Sequence, residues 1–308
     1  MSANGFFRSR WVEAPGHVRE LEPTALPAGF RAGAVAAGLK ADGGLDVGVL
    51  VSDSPDTTSA ARFTSSSRLG APVIVSKESA LDRLRAIVAN SGGSNTGDGQ
   101  RGIDTARATQ QAAAEKLGIE PEQVGVASTG VIAAELPRDK VTAGTRGAID
   151  ALGDSADGLA QAIATTDRWP KRACLEVALG GGTVRLAGQA KGAGMISPRY
   201  ATMFCFVETD AAVAPETVEL LTGVCVKRSF DRISVDGQLS TSDTVFVLAN
   251  GASGVQVESE TADELLLGEA IDALMRQLAM EIVADGEGAK RVGRIVVRGD
   301  VDHVEPVA

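Results

Sequence analysis

The chain has 308 residues, of which 44% are hydrophobic and 23% are charged, a balance typical of globular proteins rather than of disordered or membrane-embedded chains. The 40 acidic residues outnumber the 30 basic ones, and the formal net charge of −10 disfavours binding to nucleic-acid phosphates. No apolar run approaches the roughly 20 residues of a membrane span, and no signal-type stretch develops at the N-terminus, so we expect a cytoplasmic protein.

In the first half of the chain, apolar runs alternate with runs of good helix formers. Short apolar runs bounded by glycine, proline or polar residues predict strands. These strands are expected at residues 45–51, 71–76, 84–89 and 124–128. Helices are expected at residues 104–117, ending at Gly118, at 137–152, with Pro137 in the first turn, and at 157–164, with a helical turn at 78–81.

The second half continues the alternation. Residues 175–179 and 183–187 predict a hairpin, because three consecutive glycines at 180–182 separate two strand-like runs. Helices are expected at 215–228 and 263–284, and strands at 203–207, 233–235, 244–249 and 294–297. Strands and helices interleaved along the whole chain favour an α/β or α+β fold.

The rare residue types limit the chemistry. The three cysteines, Cys174, Cys205 and Cys225, lie in apolar segments and predict buried, reduced thiols. The two histidines, His17 and His303, lie near the chain ends, which disfavours a Ser-His-Asp triad or a multi-histidine zinc site. A nucleophile in this protein therefore needs a lysine, a carboxylate or an α-amine as its base.

Four segments rich in glycine or threonine end or join the predicted elements. They are residues 127–132 (ASTGVI), 164–167 (ATTD), 191–198 (KGAGMISP) and 285–290 (DGEGAK). Each could be an ordinary turn, or could present backbone N–H groups and hydroxyls to an oxyanion. The GxxxxGK[ST] order of a phosphate-binding loop is absent from them, so nucleotide binding of that kind is not predicted.

The junction between Ala201 and Thr202 has a chemistry that fits the shortage of histidine. A threonine freed at its N-terminus carries both a nucleophilic hydroxyl and an α-amine, of unperturbed pKa about 8, that can serve as its base. The same hydroxyl could create that terminus by attacking the carbonyl of Ala201. Whether this bond breaks is left open by the sequence.

Together these segments closely resemble the glutamate N-acetyltransferase family, also called ornithine acetyltransferase, of arginine biosynthesis. The resemblance is carried most specifically by KGAGMISPRYATM at residues 191–203. Further matching stretches are residues 29–33, 38–40, 63–64, 71–73, 89–92 and 127–132, ATTD with Pro170-Lys171, residues 230–237, STSDTVFVLANGA at 240–252, and DGEGAK. The matches follow the family's order over nearly the whole chain from Gly29 onward.

The resemblance implies a role for each matching residue. Thr202 would be the nucleophile, Thr129 and Gly130 the oxyanion hole, and Thr165, Lys191, Thr202 and Glu287 the substrate-binding residues. The acetyl group would pass from N2-acetyl-L-ornithine to L-glutamate in a ping-pong cycle, with acetyl-CoA as a further donor in some members. No metal, flavin or nucleotide cofactor is implied.

The resemblance also implies the fold and chain organisation. The expected fold is a layered sandwich of β-sheets flanked by helices, of the self-processing type with an N-terminal threonine nucleophile. Cleavage between Ala201 and Thr202 would give an α chain, residues 1–201, and a β chain, residues 202–308, which stay together and assemble as an α2β2 heterotetramer.

The chain departs from the family in three places. The loop at residues 90–99 lacks the usual cysteine, and Arg199-Tyr200 replaces the usual residues before the cleaved alanine. Family members also continue past the position of Ala308 with V-K-T-A and D-P-N-W/F-G-R motifs and with an Asn and a final Ser/Thr that contact substrate. Two alternatives therefore stay open, an amidase or aminopeptidase with the same type of nucleophile, and an inactive truncated homologue.

Overall fold

The computed structural model describes residues 5–198 and 203–296. The strands in these ranges are β1 (Val18–Glu20), β2 (Phe30–Val35), β3 (Val47–Ser52), β4 (Thr58–Phe63), β5 (Ala86–Asn90), β6 (Val124–Ser128), β7 (Lys171–Leu179), β8 (Gly182–Lys191), β9 (Phe204–Thr209), β10 (Ala212–Val213), β11 (Thr244–Ala249) and β12 (Gln256–Val257). The helices are α1 (Ala71–Lys77), α2 (Gln100–Leu117), α3 (Arg138–Asp150), α4 (Asp157–Ile163), α5 (Pro215–Arg228) and α6 (Ala262–Ala284).

Most of the strands form two larger sheets. One has six strands in the order β1-β7-β8-β9-β11-β4, and the other has four in the order β2-β3-β5-β6. In the six-stranded sheet β9 and β11 are parallel neighbours, while their outer neighbours β8 and β4 run antiparallel to them. In the four-stranded sheet β5 and β6 are parallel. The carboxyl ends of β5 and β6 therefore lie side by side.

The two sheets pack face to face between layers of helices. Phe204, Phe206 and Phe246 of the six-stranded sheet meet Leu50 and Ile87 of the four-stranded one in the central apolar cluster. A second cluster joins the outer face of the six-stranded sheet to α5 and α6, and a third joins the outer face of the four-stranded sheet to α1, α2 and α3. Both faces of each sheet are covered, so the central strands are mostly apolar. The layered sandwich that the family resemblance implies is confirmed.

Several sequence-based predictions match the structure closely. The strand at 124–128 has the bounds of β6, and the helix before it ends at Gly118, whose positive φ of 68° gives the left-handed cap expected of glycine. The predicted hairpin is formed by β7 and β8, whose antiparallel pairing runs from Lys171 opposite Ala190 to Leu179 opposite Gly182. All three cysteines are free and buried, and burial raises the pKa of Cys174 and of Cys225 to about 12.

The structure corrects four predictions. Residues 71–76 form α1 and not a strand, because Pro72 begins a helix there, and a short apolar run is compatible with either structure. Residues 78–81 form turns rather than a helix. The expected strands at 233–235 and 294–296 are irregular, and Ile295 is 91% exposed, so it packs in no sheet. Val297, the last residue of that predicted strand, lies outside the described residues.

Strands β2 and β4 are absent from the predictions. Their sequences, FRAGAV and TSAARF, are rich in alanine, glycine and serine, which have weak preference for strands. They are strands because neighbouring strands pair with them, β2 with β3 and β4 with β11. The pairing of distant segments decides these elements, and local composition does not show it.

Candidate active site

The site begins at the carboxyl end of the four-stranded sheet. The Ser128 hydroxyl donates to Asn90 Oδ1 at 2.6 Å, and the Thr129 N–H donates to the Asn90 carbonyl at 2.9 Å. These bonds carry the pairing of β5 with β6 one residue beyond the strands and hold Thr129 in a buried position, 3% exposed. Gly130 follows with a φ of 124°, a region that glycine adopts without strain.

Lys191, the last residue of β8, contacts Thr129. Its Nζ donates to Thr129 Oγ1 at 3.0 Å, lies 5.8 Å from the centre of the Phe204 ring, and is almost fully buried. Burial lowers the pKa of Lys191, and the negative charges of Asp167 and Asp243 oppose that effect. Because Thr129 Oγ1 accepts this bond, its own hydroxyl proton is available to a further acceptor.

The register of the six-stranded sheet relates this pair to the predicted nucleophile. Lys191 is the partner of Phe204 in the antiparallel pairing of β8 with β9. Phe204 is two residues beyond Thr202 in the chain. Ala201 and Thr202 themselves lie outside the described residues, as do Arg199 and Tyr200. The predicted oxyanion residue Thr129 and the predicted substrate residue Lys191 thus meet where β9 begins.

The other two glycine- and threonine-rich segments border the same region. The Glu287 N–H donates to the Ala193 carbonyl at 2.7 Å, which joins the loop after α6 to the loop after β8. The Glu287 carboxylate accepts from the Thr166 hydroxyl at 2.5 Å. The neighbouring Thr165 donates its N–H to Asp167 Oδ2 at 3.0 Å. Thr165 and Glu287 therefore lie on two of three interconnected loops, and Lys191, at the end of β8, directly precedes the third.

A buried charge cluster, formed by Asp167, Lys171 and Asp285, holds these loops together. Lys171 Nζ donates to Asp167 Oδ1 at 2.6 Å and to Asp285 Oδ2 at 2.7 Å, and all three side chains are at most 1% exposed. Asp167 Oδ1 also accepts from the Gly192 N–H at 2.8 Å. Burial alone would raise the pKa of Asp167, but the charges of Lys191 and Lys171 hold it below its usual value.

Sequence analysis did not assign a role to this cluster or to Asp243. Lys171 and the two aspartates occur within motifs that were noted only as similarities. A signal was present at Lys171, because the alternation of β7 places it on the same side of the strand as Ala173, Leu175 and Val177. A lysine on such a side needs a buried counter-charge.

In the part of the chain that the structure describes, no group of three or more His, Cys, Asp or Glu residues could hold a metal ion.

The fold defines the general class of protein. A solved l-aminopeptidase d-ala-esterase/amidase from Ochrobactrum anthropi, described as a variant of the ntn hydrolase fold, superimposes with a TM-score of 0.53 over 89% of each chain. The two chains are 11% identical, so the likeness is one of fold. The protein therefore has a layered α/β fold like that of this enzyme.

The family follows from closer matches. The model of the ArgJ family matches residues 31–306, and the chain belongs to this family. It is 46% identical over 288 residues to the arginine biosynthesis bifunctional protein of Nitratidesulfovibrio vulgaris, covering 92% of this chain and 72% of that protein. The corresponding protein of Chlorobium chlorochromatii is 45% identical over 283 residues, covering 91% of this chain and 66% of that protein.

A solved structure of a relative supports the same assignment. The ornithine acetyltransferase of Mycobacterium tuberculosis, determined in complex with ornithine, is 35% identical with a TM-score of 0.55. The match covers 60% of this chain and 99% of that chain.

Proposed function

We propose that this protein is an acetyltransferase of arginine biosynthesis, which moves the acetyl group of N2-acetyl-L-ornithine to L-glutamate through an acetylated Thr202. The observation that carries the proposal is the Lys191–Thr129 contact, which lies opposite Phe204, two residues beyond Thr202. An acyl-transfer site needs a nucleophile beside donors for an oxyanion. Membership of the ArgJ family is the reason for choosing acetyl as the transferred group and acetylornithine and glutamate as the two substrates.

The first step of the proposal is self-cleavage. The Thr202 hydroxyl attacks the Ala201 carbonyl, the C–N bond between the two residues breaks, and the proton of the hydroxyl ends on the threonine nitrogen. The resulting ester is hydrolysed by water, which leaves a carboxylate on Ala201 and restores the hydroxyl. The products are an α chain, residues 1–201, and a β chain that begins at Thr202 with a free α-amine.

The second step is a ping-pong acetyl transfer. The α-amine of Thr202 accepts the hydroxyl proton while the oxygen attacks the acetyl carbon of acetylornithine, and ornithine leaves with that proton on its nitrogen. Glutamate then takes the acetyl group by the reverse sequence. The Thr129 hydroxyl and the Gly130 N–H donate to the oxyanion, and each such donor typically contributes about 10²–10³ in rate.

Charged side chains on the three interconnected loops suit amino-acid substrates. The Lys191 ammonium has the charge to bind the carboxylate that acetylornithine and glutamate share, and the Glu287 carboxylate has the charge to bind an ammonium group of the substrate. Thr165 supplies a polar side chain on the loop next to both. Each of the two charged side chains already makes a hydrogen bond to a threonine hydroxyl, Lys191 to Thr129 and Glu287 to Thr166, which supports a site ordered before substrate arrives.

The arrangement of the sheet supports the proposal that the two chains stay together. Strands β9 and β11, from the proposed β chain, lie between β8 and β4 of the proposed α chain. The solved Mycobacterium tuberculosis chain, which matches 60% of this one, is close in length to the proposed α chain. We propose an α2β2 heterotetramer in the cytoplasm, with acetyl-CoA as an additional donor and no metal or other cofactor.

A second candidate function is amide hydrolysis, favoured by the fold shared with the Ochrobactrum anthropi enzyme. The two functions differ in whether glutamate or water accepts the acyl group. Incubation with acetylornithine, with and without glutamate, separates them. Acetylglutamate formed in proportion to ornithine supports transfer, and free acetate with no dependence on glutamate supports hydrolysis.

The test of the proposed function starts with intact-mass spectrometry of the purified protein. Two fragments that separate after Ala201, and a single uncut chain in Thr202→Ala, would establish Thr202 as a competent nucleophile. Thr183→Ala, at an exposed position near the start of β8, is the matched control and should be cut like the wild type. An uncut, folded wild-type chain would contradict the proposal and favour an inactive homologue.

A further inference from the structure

Asp243 is a buried carboxyl at the start of β11, next to the segment that leads from Thr202 into β9. It is 1% exposed. Its Oδ1 accepts the Met203 N–H at 3.0 Å, and the following residue, Thr244, donates its N–H to the Met203 carbonyl at 3.1 Å. Met203 is therefore held on both sides of its backbone. The side chain of Asp243 extends the parallel pairing of β9 with β11 one residue toward the nucleophile.

The nitrogen held by Asp243 belongs to the peptide bond between Thr202 and Met203. No residue stands between this bond and the proposed nucleophile. The second oxygen of Asp243, Oδ2, is also buried. Hydrogen bonding from the side chains of Ser240 and Thr64 to this carboxyl lowers its pKa, so polar side chains surround the carboxyl that holds Met203.

Burial raises the pKa of Asp243 well above its usual value, and the positive charge of Lys191 opposes that rise. The contact with Met203 uses one carboxyl oxygen of Asp243 as the acceptor. An asparagine amide has the same shape and also carries an acceptor oxygen, which makes asparagine a suitable conservative replacement.

We propose that Asp243 is a positioning residue for Thr202, which it orients through the hydrogen bond from the Met203 N–H to Oδ1. The inference rests on the proposed function, since it concerns the same nucleophile. Asp243 acts through Met203, and it anchors the first peptide bond of the proposed β chain against β11. The attack on Ala201 and the later attack on the acetyl carbon both need the Thr202 oxygen in one orientation, and a displacement of about 1 Å can cost roughly a hundredfold in rate.

The experiment compares Asp243→Ala with Asp243→Asn. Asp243→Ala removes the acceptor of the Met203 N–H and should slow self-cleavage by about ten- to a hundredfold. The rate of self-cleavage is measured by intact-mass spectrometry over time. In protein that has been cut, kcat for acetyl transfer should fall by a similar factor, and KM for acetylornithine should change less than kcat does, because Asp243 influences the substrate-binding residue Lys191 only through its charge. Asp243→Asn keeps the acceptor and should restore both rates to within about threefold of the wild type.

Asp210→Ala is the matched control. Asp210 is also buried, 4% exposed, and its carboxylate accepts the N–H groups of Arg185 at 2.7 Å and Ala28 at 3.2 Å. Asp210 follows the last residue of β9, whereas Asp243 contacts Met203, just before the first. At the usual rise of a strand, Asp210 and Asp243 are about 20 Å apart. We expect this variant to lose stability and to be cut at the wild-type rate.

The outcomes separate this inference from the proposed function. An uncut wild-type chain would overturn both. A cut wild type, together with a folded Asp243→Ala variant that is cut and turns over at the wild-type rate, would overturn the inference alone. If Asp243→Ala does not fold, Asp243→Asn decides: cleavage at the wild-type rate supports the inference, and slow cleavage of a folded variant overturns it.

Discussion

Gly130 has a conformation and a close contact that a side chain would disturb. Its φ is 124°, and a Cβ added to it would lie 2.7 Å from the carbonyl carbon of Gly92. That distance is shorter than a Cβ tolerates, and the obstacle is backbone, which cannot rotate away. The proposed oxyanion donor is therefore tied to glycine by both backbone conformation and space.

We expect Gly130→Ala to lower kcat/KM for acetyl transfer by about a hundredfold or more, because the N–H would move away from the oxyanion. Steady-state kinetics with acetylornithine and glutamate check this. Gly118→Ala is the control, since Gly118 also has a positive φ of 68° but has no atom within 4 Å of an added Cβ. It should cost about 1 kcal/mol of stability and leave kcat/KM unchanged. Equal activity of the two variants would contradict the prediction.

Glu208 is a titratable residue in the interior of the molecule. It is fully buried between the sheets, and its Oε1 accepts from Gln189 Nε2 at 2.7 Å. Burial raises its pKa from 4.5 to about 8, although the bond from Gln189 lowers it. Between these two values the folded protein holds a proton that the unfolded chain has released. Stability must therefore fall as the pH rises from about 4.5 to about 8.

The prediction is that Glu208→Gln removes this pH dependence. The wild type should lose up to about 1.4 kcal/mol of stability per pH unit within the window, and the variant should lose less and be the more stable protein at pH 8. Denaturant unfolding at several pH values measures both. Glu176→Gln, at an exposed pair with Arg19, is the control and should follow the wild-type slope. Parallel slopes for Glu208→Gln and wild type would refute this prediction.

At the scale of elements, the buried charge cluster joins the start of β7 to the loop after α6. Lys171 belongs to the strand, Asp285 follows the helix, and Asp167 precedes the strand and binds the loop after β8. Two buried carboxylates share one buried ammonium. Arg168, which is about half exposed, donates to Asp285 from the surface side at 2.6 Å. The position of Glu287 therefore depends on a charge that lies 116 residues earlier in the chain.

Lys171→Met should be strongly destabilising, by about 3–5 kcal/mol, because it leaves the two buried carboxylates without their common partner. In folded protein, KM for acetylornithine should rise more than kcat falls, since the substrate-binding loops lose their connection. Lys116→Met breaks the exposed pair with Asp150, whose side chains are 39% and 64% exposed, and should change stability by less than about 1 kcal/mol. Thermal unfolding and kinetics of both variants check this, and similar losses in the two would contradict it.

At the scale of the whole molecule, the proposed cleavage site divides the six-stranded sheet in an interlocked way. β9 and β11 contribute Phe206 and Phe246 to the central cluster and Val207 and Val247 to the outer one. Each of the two strands also pairs with a strand of the other proposed chain. Separation of the chains would expose both clusters and break two strand pairings at once.

We therefore expect the cut protein to elute as one species in size-exclusion chromatography without denaturant. Under denaturing conditions the same sample should separate into two chains. Thr202→Ala should elute at the same volume without denaturant and remain one chain in denaturant. Dissociation of the cut chains in the absence of denaturant would show that the pairing of β9 with β8 and of β11 with β4 is insufficient to hold them.

Local sequence patterns were enough to predict many of the elements, and the predicted chemistry of the site came from matching motifs. Strand β6, helix α5 and the β7–β8 hairpin follow from apolar runs and from proline and glycine at their ends. The shortage of histidine favours an N-terminal nucleophile, whereas the expected roles of Thr129, Lys191 and Glu287 come from the resemblance to the acetyltransferase family. These features depend on neighbours within a few residues, and such neighbours are visible in the chain itself.

Other features were decided only by the tertiary structure. Strands β2 and β4 exist because distant strands pair with them, α1 is a helix although its apolar run also suits a strand, and the roles of Lys171 and Asp243 come from partners far away in the chain. Burial and pairing are properties of the folded molecule, because they depend on which segments meet across the sheets. The residue types of the site were therefore readable from the sequence, whereas the charges and hydrogen bonds that hold them were set by the fold.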